Sequence, residues 1–275
     1  MKIFTIKRFV LAQLIYALPL LAINLEDFTQ SEYGFNIQEP QGMKIAPDAL
    51  SGKREKLYSF INFEPQRVEK LVVYLDTKDL KLSKESLIIR VREDRSNPKK
   101  SKITVKLRSS TVDNYKNLKN NRKGEIDIIG GKKAYSPSWD IRFDPQDIDI
   151  HNVNINDVIE LIKTNKDAWA VVEPRLGDNA KDLKQTIVMR ALYWFGTITK
   201  IHGVVEADYS IWSPYSKVPH VAFTSLSFKG KTDDANLILV AERVAKALEQ
   251  KHIAVPADKS VSKTKKVFDM SPNFQ

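Results

Sequence analysis

The chain has 275 residues, of which 44 are basic and 34 acidic, for a formal charge of +10, and it contains no cysteine. Disulfides, a thiol nucleophile and a cysteine-linked lipid anchor are therefore excluded, and a chain of this length can fold on its hydrophobic core alone. The four histidines, His151, His202, His220 and His252, lie too far apart for the short spacings of a zinc site.

Lys2, Lys7 and Arg8 precede an apolar stretch from residue 9 to 21, with no acid before Glu26. A membrane-spanning helix needs about 20 apolar residues, and this stretch is shorter. Residues 1–22 therefore read as a secretory signal peptide cleaved after Ala22, with an uncleaved anchor as the alternative. The mature protein is then expected to be exported, periplasmic or extracellular, with no transmembrane span. Residues 23–52 are interrupted by Gly34, Pro40, Gly42 and Pro47 and read as irregular. One domain follows, residues 53–254. Residues 255–275 carry Lys259, Lys263, Lys265 and Lys266 among Ser, Thr and Val without periodicity, and read as a disordered basic tail.

Within the domain, residues 70–75, 86–92, 101–108, 123–129, 168–175, 186–195, 203–211 and 218–229 are rich in β-branched or aromatic residues and are separated by turn signals. Two helices are marked: one capped by Asn156 or Asp157 and running through Lys163, the other capped by Thr232 or Asp233. In the second, Leu237, Val240, Ala241, Val244, Ala245 and Leu248 form one apolar stripe at helical spacing. The fold class is α+β, mainly antiparallel β, arranged as a meandering sheet or barrel with flanking helices. Gly130 and Gly131, followed by Lys132, lack the rest of a phosphate-loop pattern and read as a β-turn.

The chemistry is written in side-chain alternation. Leu87, Ile89 and Val91 point one way while Arg90 and Arg92 point the other; Ile103, Val105 and Leu107 oppose Lys102, Thr104, Lys106 and Arg108. Cations stacked on one face of neighbouring strands repel one another, and either solvent or an anionic ligand must relieve that repulsion. Later strands carry the opposite sign: Glu125 with Asp127, and Glu206 with Asp208, share a face. Acids two apart on a strand suit a hard cation such as magnesium or manganese, and equally suit ion pairs with the arginines. Glu173 and Arg175 form another same-face pair. Arg190 projects from a long strand whose other face is Ile187, Met189, Ala191, Tyr193 and Phe195. Basic residues lie among Tyr193, Trp194, Trp212 and Tyr215, but export makes nucleic acid the less favoured partner.

The run Val73-Tyr74-Leu75-Asp76-Thr77-Lys78-Asp79-Leu80-Lys81-Leu82, followed by Leu87-Ile88-Ile89-Arg90-Val91-Arg92 and then Ile103-Thr104-Val105-Lys106, resembles the CYTH, or triphosphate tunnel, superfamily. Glu125, Arg190 and Asp208 fall where that family places inward-pointing charges. The resemblance implies a closed antiparallel tunnel, residues 53–254, in which Arg90, Arg92, Lys106, Arg108 and Arg190 would hold a triphosphate. Glu125, Asp127, Glu206 and Asp208 would hold magnesium or manganese. Two departures fall on the family's metal ligands. The opening E-x-E-x-K strand is not found, its nearest candidates being Glu55 with Lys56 and Glu39 with Lys44, and the late E-x-E strand offers Ser225, Ser227 and Lys229 instead.

Phosphoryl transfer depends on metal bridging the phosphates, whereas arginine and lysine can bind them without it. The favoured expectation is therefore an exported tunnel protein that binds a phosphate-rich anion, a triphosphate or polyphosphate, with little or no catalysis. The alternatives are a metal-dependent triphosphate phosphohydrolase and a structural barrel of the envelope.

Overall fold

The structure, a computed structural model, describes residues 28–38, 58–112, 115, 123–201, 203–216 and 220–275. The expected leader, and Glu39, Lys44, Glu55 and Lys56, lie outside the described residues. Among the described residues no helix is long and apolar enough to cross a membrane.

The strands in chain order are β1 (Gln30–Ile37), β2 (Asn62–Phe63), β3 (Val68–Thr77), β4 (Leu87–Asp94), β5 (Lys102–Leu107), β6 (Lys123–Ile129), β7 (Lys132–Arg142), β8 (Leu183–Gln185), β9 (Met189–Ile201), β10 (Gly203–Pro214) and β11 (Phe223–Lys231). They hydrogen-bond in the order β9-β10-β11-β1-β6-β7-β5-β4-β3, and a further β3–β9 pairing closes these nine into a barrel. Within the ring β1 runs parallel to β6 and the other neighbours are antiparallel. The helices are α1 (Lys81–Lys84), α2 (Ile155–Lys163), α3 (Lys166–Leu176), α4 (Ala235–Gln250) and α5 (Lys263–Asp269).

Period-two alternation assigns the two faces of the barrel wall. The aliphatic residues of β4 and β5 turn outward, where they pack beneath Val158, Ile162, Val171, Val172 and Leu176 of α2 and α3. On the other side, Leu192, Tyr209, Ile211, Leu226 and Phe228 are covered by Leu237, Val240, Val244 and Leu248 of α4. The polar residues of the same strands are thereby turned into the lumen. The loop between β3 and β4 is held by Asp76, whose carboxylate accepts from Thr77 N and Leu82 N at 2.8 Å and from Ser83 N at 2.9 Å. The acid of the family-like turn is thus a scaffold residue. Gly130 and Gly131 join β6 to β7 with φ of 56° and 73°, so the β-turn reading holds.

Four expectations are corrected. Residues 168–175 are not a strand: they belong to α3, where Asn165 caps Ala168 N at 3.1 Å and Ala168, Val171, Val172 and Leu176 are buried on a helical spacing. Residues 30–37 are not irregular, because β1 completes the barrel between β11 and β6 and the domain therefore begins before residue 53. β7 was not anticipated at all. The fourth correction concerns the tail, which is ordered.

Ser262 caps α5 through Lys265 N at 3.2 Å, and Val267 and Phe268 pack with Val72, Tyr74, Met189, Ala191, Trp212 and Phe223. Those strand residues face inward, since Tyr74 lies opposite Arg90, Val72 opposite Arg92 and Ala191 opposite Trp212. The tail therefore docks on the inner wall of the barrel. Asn36 Nδ2 donates to Val261 O at 2.8 Å and Asn273 Nδ2 to Gln185 O at 3.1 Å, tying both sides of α5 to the strands. Gly130 serves the same docking, because a Cβ there would stand 2.5 Å from Ala257 O.

A buried phenylalanine truncated to alanine loses about 3 to 5 kcal/mol. Phe268→Ala is expected to lower unfolding free energy in urea by about 3 kcal/mol, whereas a disordered tail would give a change below about 0.5 kcal/mol.

Candidate functional site

The inward faces enclose a cavity of about 320 Å³, at the small end of the roughly 300 to 1,000 Å³ usual for small-ligand sites. Its lining includes nine cations, Lys70, Arg90, Arg92, Lys102, Lys106, Arg108, Lys123, Lys229 and Lys263, against six acids, Glu32, Glu125, Asp127, Asp140, Glu206 and Asp208. The charges divide into two regions with different electrostatics.

In the first, on β6, the acids are saturated. Asp127 Oδ2 lies 2.6 Å from Arg108, 2.9 Å from Lys106 and 2.7 Å from Ser136 Oγ. Glu125 pairs with Lys123 at 3.0 Å, with Lys106 at 3.7 Å and, through a short contact, with Lys229. Burial alone would raise these carboxyls, but Lys106 and Lys229 pull Glu125 down to about 2, and Lys106 and Arg108 hold Asp127 well below its ordinary range. Glu32 brings a third carboxylate, and oxygens of Glu32, Glu125 and Asp127 lie within 4.8 Å of one another. That is the one grouping of three metal-ligating residues among the described residues, and it has the dimensions of a cation site. Its oxygens on β6 already hold four protein cations.

In the second region the cations are in excess. Lys70 from β3, Arg90 and Arg92 from β4 and Lys102 from β5 converge, with Asp140 the lining acid close to them and the buried Asp94 3.9 Å from Lys70. Asp140 binds Lys102 at 2.6 Å and Thr104 Oγ1 at 2.7 Å. Arg92 has no acid within ion-pair distance among the described residues. Burial and then Arg90 bring Arg92 down to about 10, burial and then Arg92 bring Lys70 down to about 8, and Lys102 is lowered by the same two causes. The buried Nε atoms of Arg90 and Arg108 and Oδ1 of Asp208 have no hydrogen-bond partner among the described protein groups. Lys263 enters from α5. Burial opposes its charge, but Asp208 and Tyr193 outweigh that and leave it above the usual lysine range.

The structure brings together eight of the nine site residues expected from sequence. Arg90, Arg92, Lys106 and Arg108 line the cavity, as do Glu125, Asp127, Glu206 and Asp208. Glu206 and Asp208 do not join the carboxylate group on β6, and Asp208 Oδ2 accepts instead from Ser227 Oγ at 2.5 Å. Arg190 is placed elsewhere. Its register partner on β3 is Leu71, which belongs to the outer core, so its guanidinium points outward and meets Glu69 at 2.9 Å. Glu173 and Arg175 sit on α3, outside the lining. Sequence reasoning missed Glu32 and Asn36, although Tyr33, Phe35 and Ile37 alternate with them in the period that marks a strand. It also missed Lys70 and Lys263, which complete the basic region.

No family model matches the sequence, and no curated protein matches it. Among solved structures, the barrel is similar to a candidate adenylyl cyclase from Hippeastrum described as having a dominant triphosphatase activity. The identity is 14% and the TM-score 0.51, over 90% of this chain and 99% of that chain. The fold is that of the triphosphate tunnel. A candidate adenylate cyclase from Bacillus halodurans matches 81% of this chain and 90% of its own at 11% identity and a TM-score of 0.42. At such identities the likeness concerns the fold alone. In this tunnel the opening strand presents Glu32, Gly34 and Asn36 to the lumen, and β11 presents Ser225, Ser227 and Lys229.

Unrelieved repulsion makes a simple prediction. Arg92→Met should leave the ligand-free protein about 1 to 3 kcal/mol more stable in urea, because a buried cation held among like charges costs folding energy. A loss of more than about 1 kcal/mol would mean that Arg92 is compensated in the native state.

Proposed function

We propose that the tunnel binds a phosphate-rich anion, a triphosphate or polyphosphate, and turns it over little or not at all. The observation that carries this reading is the group Lys70, Arg90, Arg92 and Lys102. These four converge inside the barrel with two acids beside them, Asp140 2.6 Å from Lys102 and Asp94 3.9 Å from Lys70, and burial and mutual repulsion lower three of them. An anion entering there removes the repulsion, and arginine can meet phosphate oxygens with two parallel hydrogen bonds. Lys106 and Arg108, which the sequence also nominates, are engaged by Asp127 and serve the ligand only in so far as that pairing loosens. Arg190 has no part in it.

Weak or absent turnover follows from the acids. In phosphoryl transfer a divalent ion neutralises developing charge between the phosphate oxygens and the protein carboxylates. Glu125 and Asp127 have their charge answered by lysine and arginine, so the group as it stands does not fit magnesium or manganese, and no step is assigned through either ion. The second reading, a metal-dependent phosphohydrolase, draws on the closeness of Glu32, Glu125 and Asp127. It requires those lysines to leave. An exported location is proposed from the basic and apolar pattern of residues 1–22.

A ligand present at a hundred times its dissociation constant adds about 2.7 kcal/mol to the native state, which raises Tm by roughly 5 °C or more for a domain of this size. Tripolyphosphate in the presence of a chelator is expected to give such a shift at low salt, and Lys70→Ala with Arg92→Ala to remove most of it. Phosphate release with magnesium or manganese is expected to stay at the background rate. A shift that needs metal, accompanied by phosphate release that Glu125→Gln abolishes, would establish the hydrolase reading instead.

A further inference from the structure

One inward row crosses four neighbouring strands. Glu206 on β10 lies opposite Lys229 on β11, Lys229 opposite Glu32 on β1, and Glu32 opposite Asp127 on β6. Lys229 is thus the single cation in a row of acids, and its ammonium also donates to Glu125. Lys106 approaches the same carboxylates, 2.9 Å from Asp127 Oδ2 and 3.7 Å from Glu125 Oε2. Arg108 and Lys123 complete the surround at 2.6 Å and 3.0 Å. The four acids Glu32, Glu125, Asp127 and Glu206 are therefore matched in number by the four cations Lys106, Arg108, Lys123 and Lys229. No negative charge is left to attract a divalent ion.

We infer that Lys229 is a tethered replacement for the divalent cation: its ammonium sits on Glu125 beside Glu32 in the strand register and, with Lys106 bridging Glu125 and Asp127, answers the acids that magnesium or manganese would otherwise hold. A metal entering this group would have to shed water, expel Lys229 and leave the region with surplus positive charge. The lysine meets none of these costs, because its strand carries the ammonium to the acids as the barrel closes. Lys229 is set among acids by the strand register, between Glu206 and Glu32, with its ammonium donating to Glu125. A lysine supplies one charge where the metal supplies two, and Lys106 supplies the second. The inference goes beyond the anion reading and holds whether or not a triphosphate binds, because it concerns how the acidic half of the lumen is neutralised.

Manganese titration followed by electron paramagnetic resonance, with the full chain and no phosphate compound present, separates the cases. The unaltered protein is expected to leave the free manganese signal unchanged at millimolar metal. Lys229→Glu changes the local charge by the two units of one divalent ion and is expected to bind one manganese per chain, at least about tenfold more tightly than the unaltered protein. Adding Glu125→Gln to that variant should abolish the gain. Lys229→Met, which removes the ammonium without adding an acid, gives a smaller gain in the same direction and serves if Lys229→Glu does not fold. Stoichiometric manganese binding by the unaltered protein that is lost in Glu125→Gln would overturn the inference. So would a folded Lys229→Met or Lys229→Glu protein, verified by its circular dichroism melt, that binds manganese no better than the unaltered one.

Discussion

Closing a sheet into a barrel forces every inward side chain into a shared, poorly hydrated space, and here that space holds more cations than acids. The fold depends on how this charge is arranged. On β6 each carboxylate is answered by lysine or arginine within ion-pair distance, so the acidic half of the lumen is self-neutralised. Around Arg92 and Lys70 the balance fails: burial opposes the charge of Arg90 but Tyr74, Tyr193 and Asp140 outweigh it, whereas Arg92 and Lys70 retain a repulsion that neighbouring side chains relieve only in part. A stable protein tolerates such strain when the rest of the core outweighs it, and strain of this kind gathers where a ligand binds.

The outer layers supply that excess stability. The outward aliphatic faces of β3, β4 and β5 are sealed by α2 and α3, and those of β9, β10 and β11 by α4. The C-terminal segment adds a third packed layer on the inner wall, where Val267 and Phe268 meet Tyr74, Trp212 and Phe223. The same segment delivers Lys263 to the lumen. Lys266 lies 4.9 Å from the Phe223 ring, and its charge is disfavoured by burial and then by Lys263, bringing it down to about 8. The tail thus contributes both apolar packing and lumen charge.

The alternation in β4 and β5 was legible because hydrophobic and basic residues kept strict period two through both strands. That placed four of the five expected basic residues in the lumen and fixed the fold class. Other features depended on partners far away in sequence. β1 contains Gly34, and its role emerges only from pairing with β11 and β6, on either side of it in the barrel. Arg190 was assigned to the lumen by its order in the chain, but its side is set by register with β3, where Leu71 opposite it faces outward. The adjacent pair Val171-Val172 suggested a strand, and the Asn165 cap with a helical burial pattern decided otherwise. The tail was read as solvated because it is rich in lysine. Lysine stems can lie along apolar surface while their ammonium groups reach acids, and composition does not separate that use from disorder.

Lys70 gives the most direct access to the central claim, that the buried cations await an anion. It is held near pH 8 by burial and by Arg92, so a phosphate chain arriving beside it restores the ordinary affinity for a proton. Calorimetric titration of tripolyphosphate into chelator-treated protein at pH 8, in buffers of different ionisation enthalpy, measures both events at once. The account predicts metal-free binding in which, the ligand's own proton release being common to both, the unaltered protein takes up more proton than Lys70→Met does. Binding that occurs only after magnesium or manganese is added, or metal-free binding whose proton balance is the same in both proteins, would contradict it.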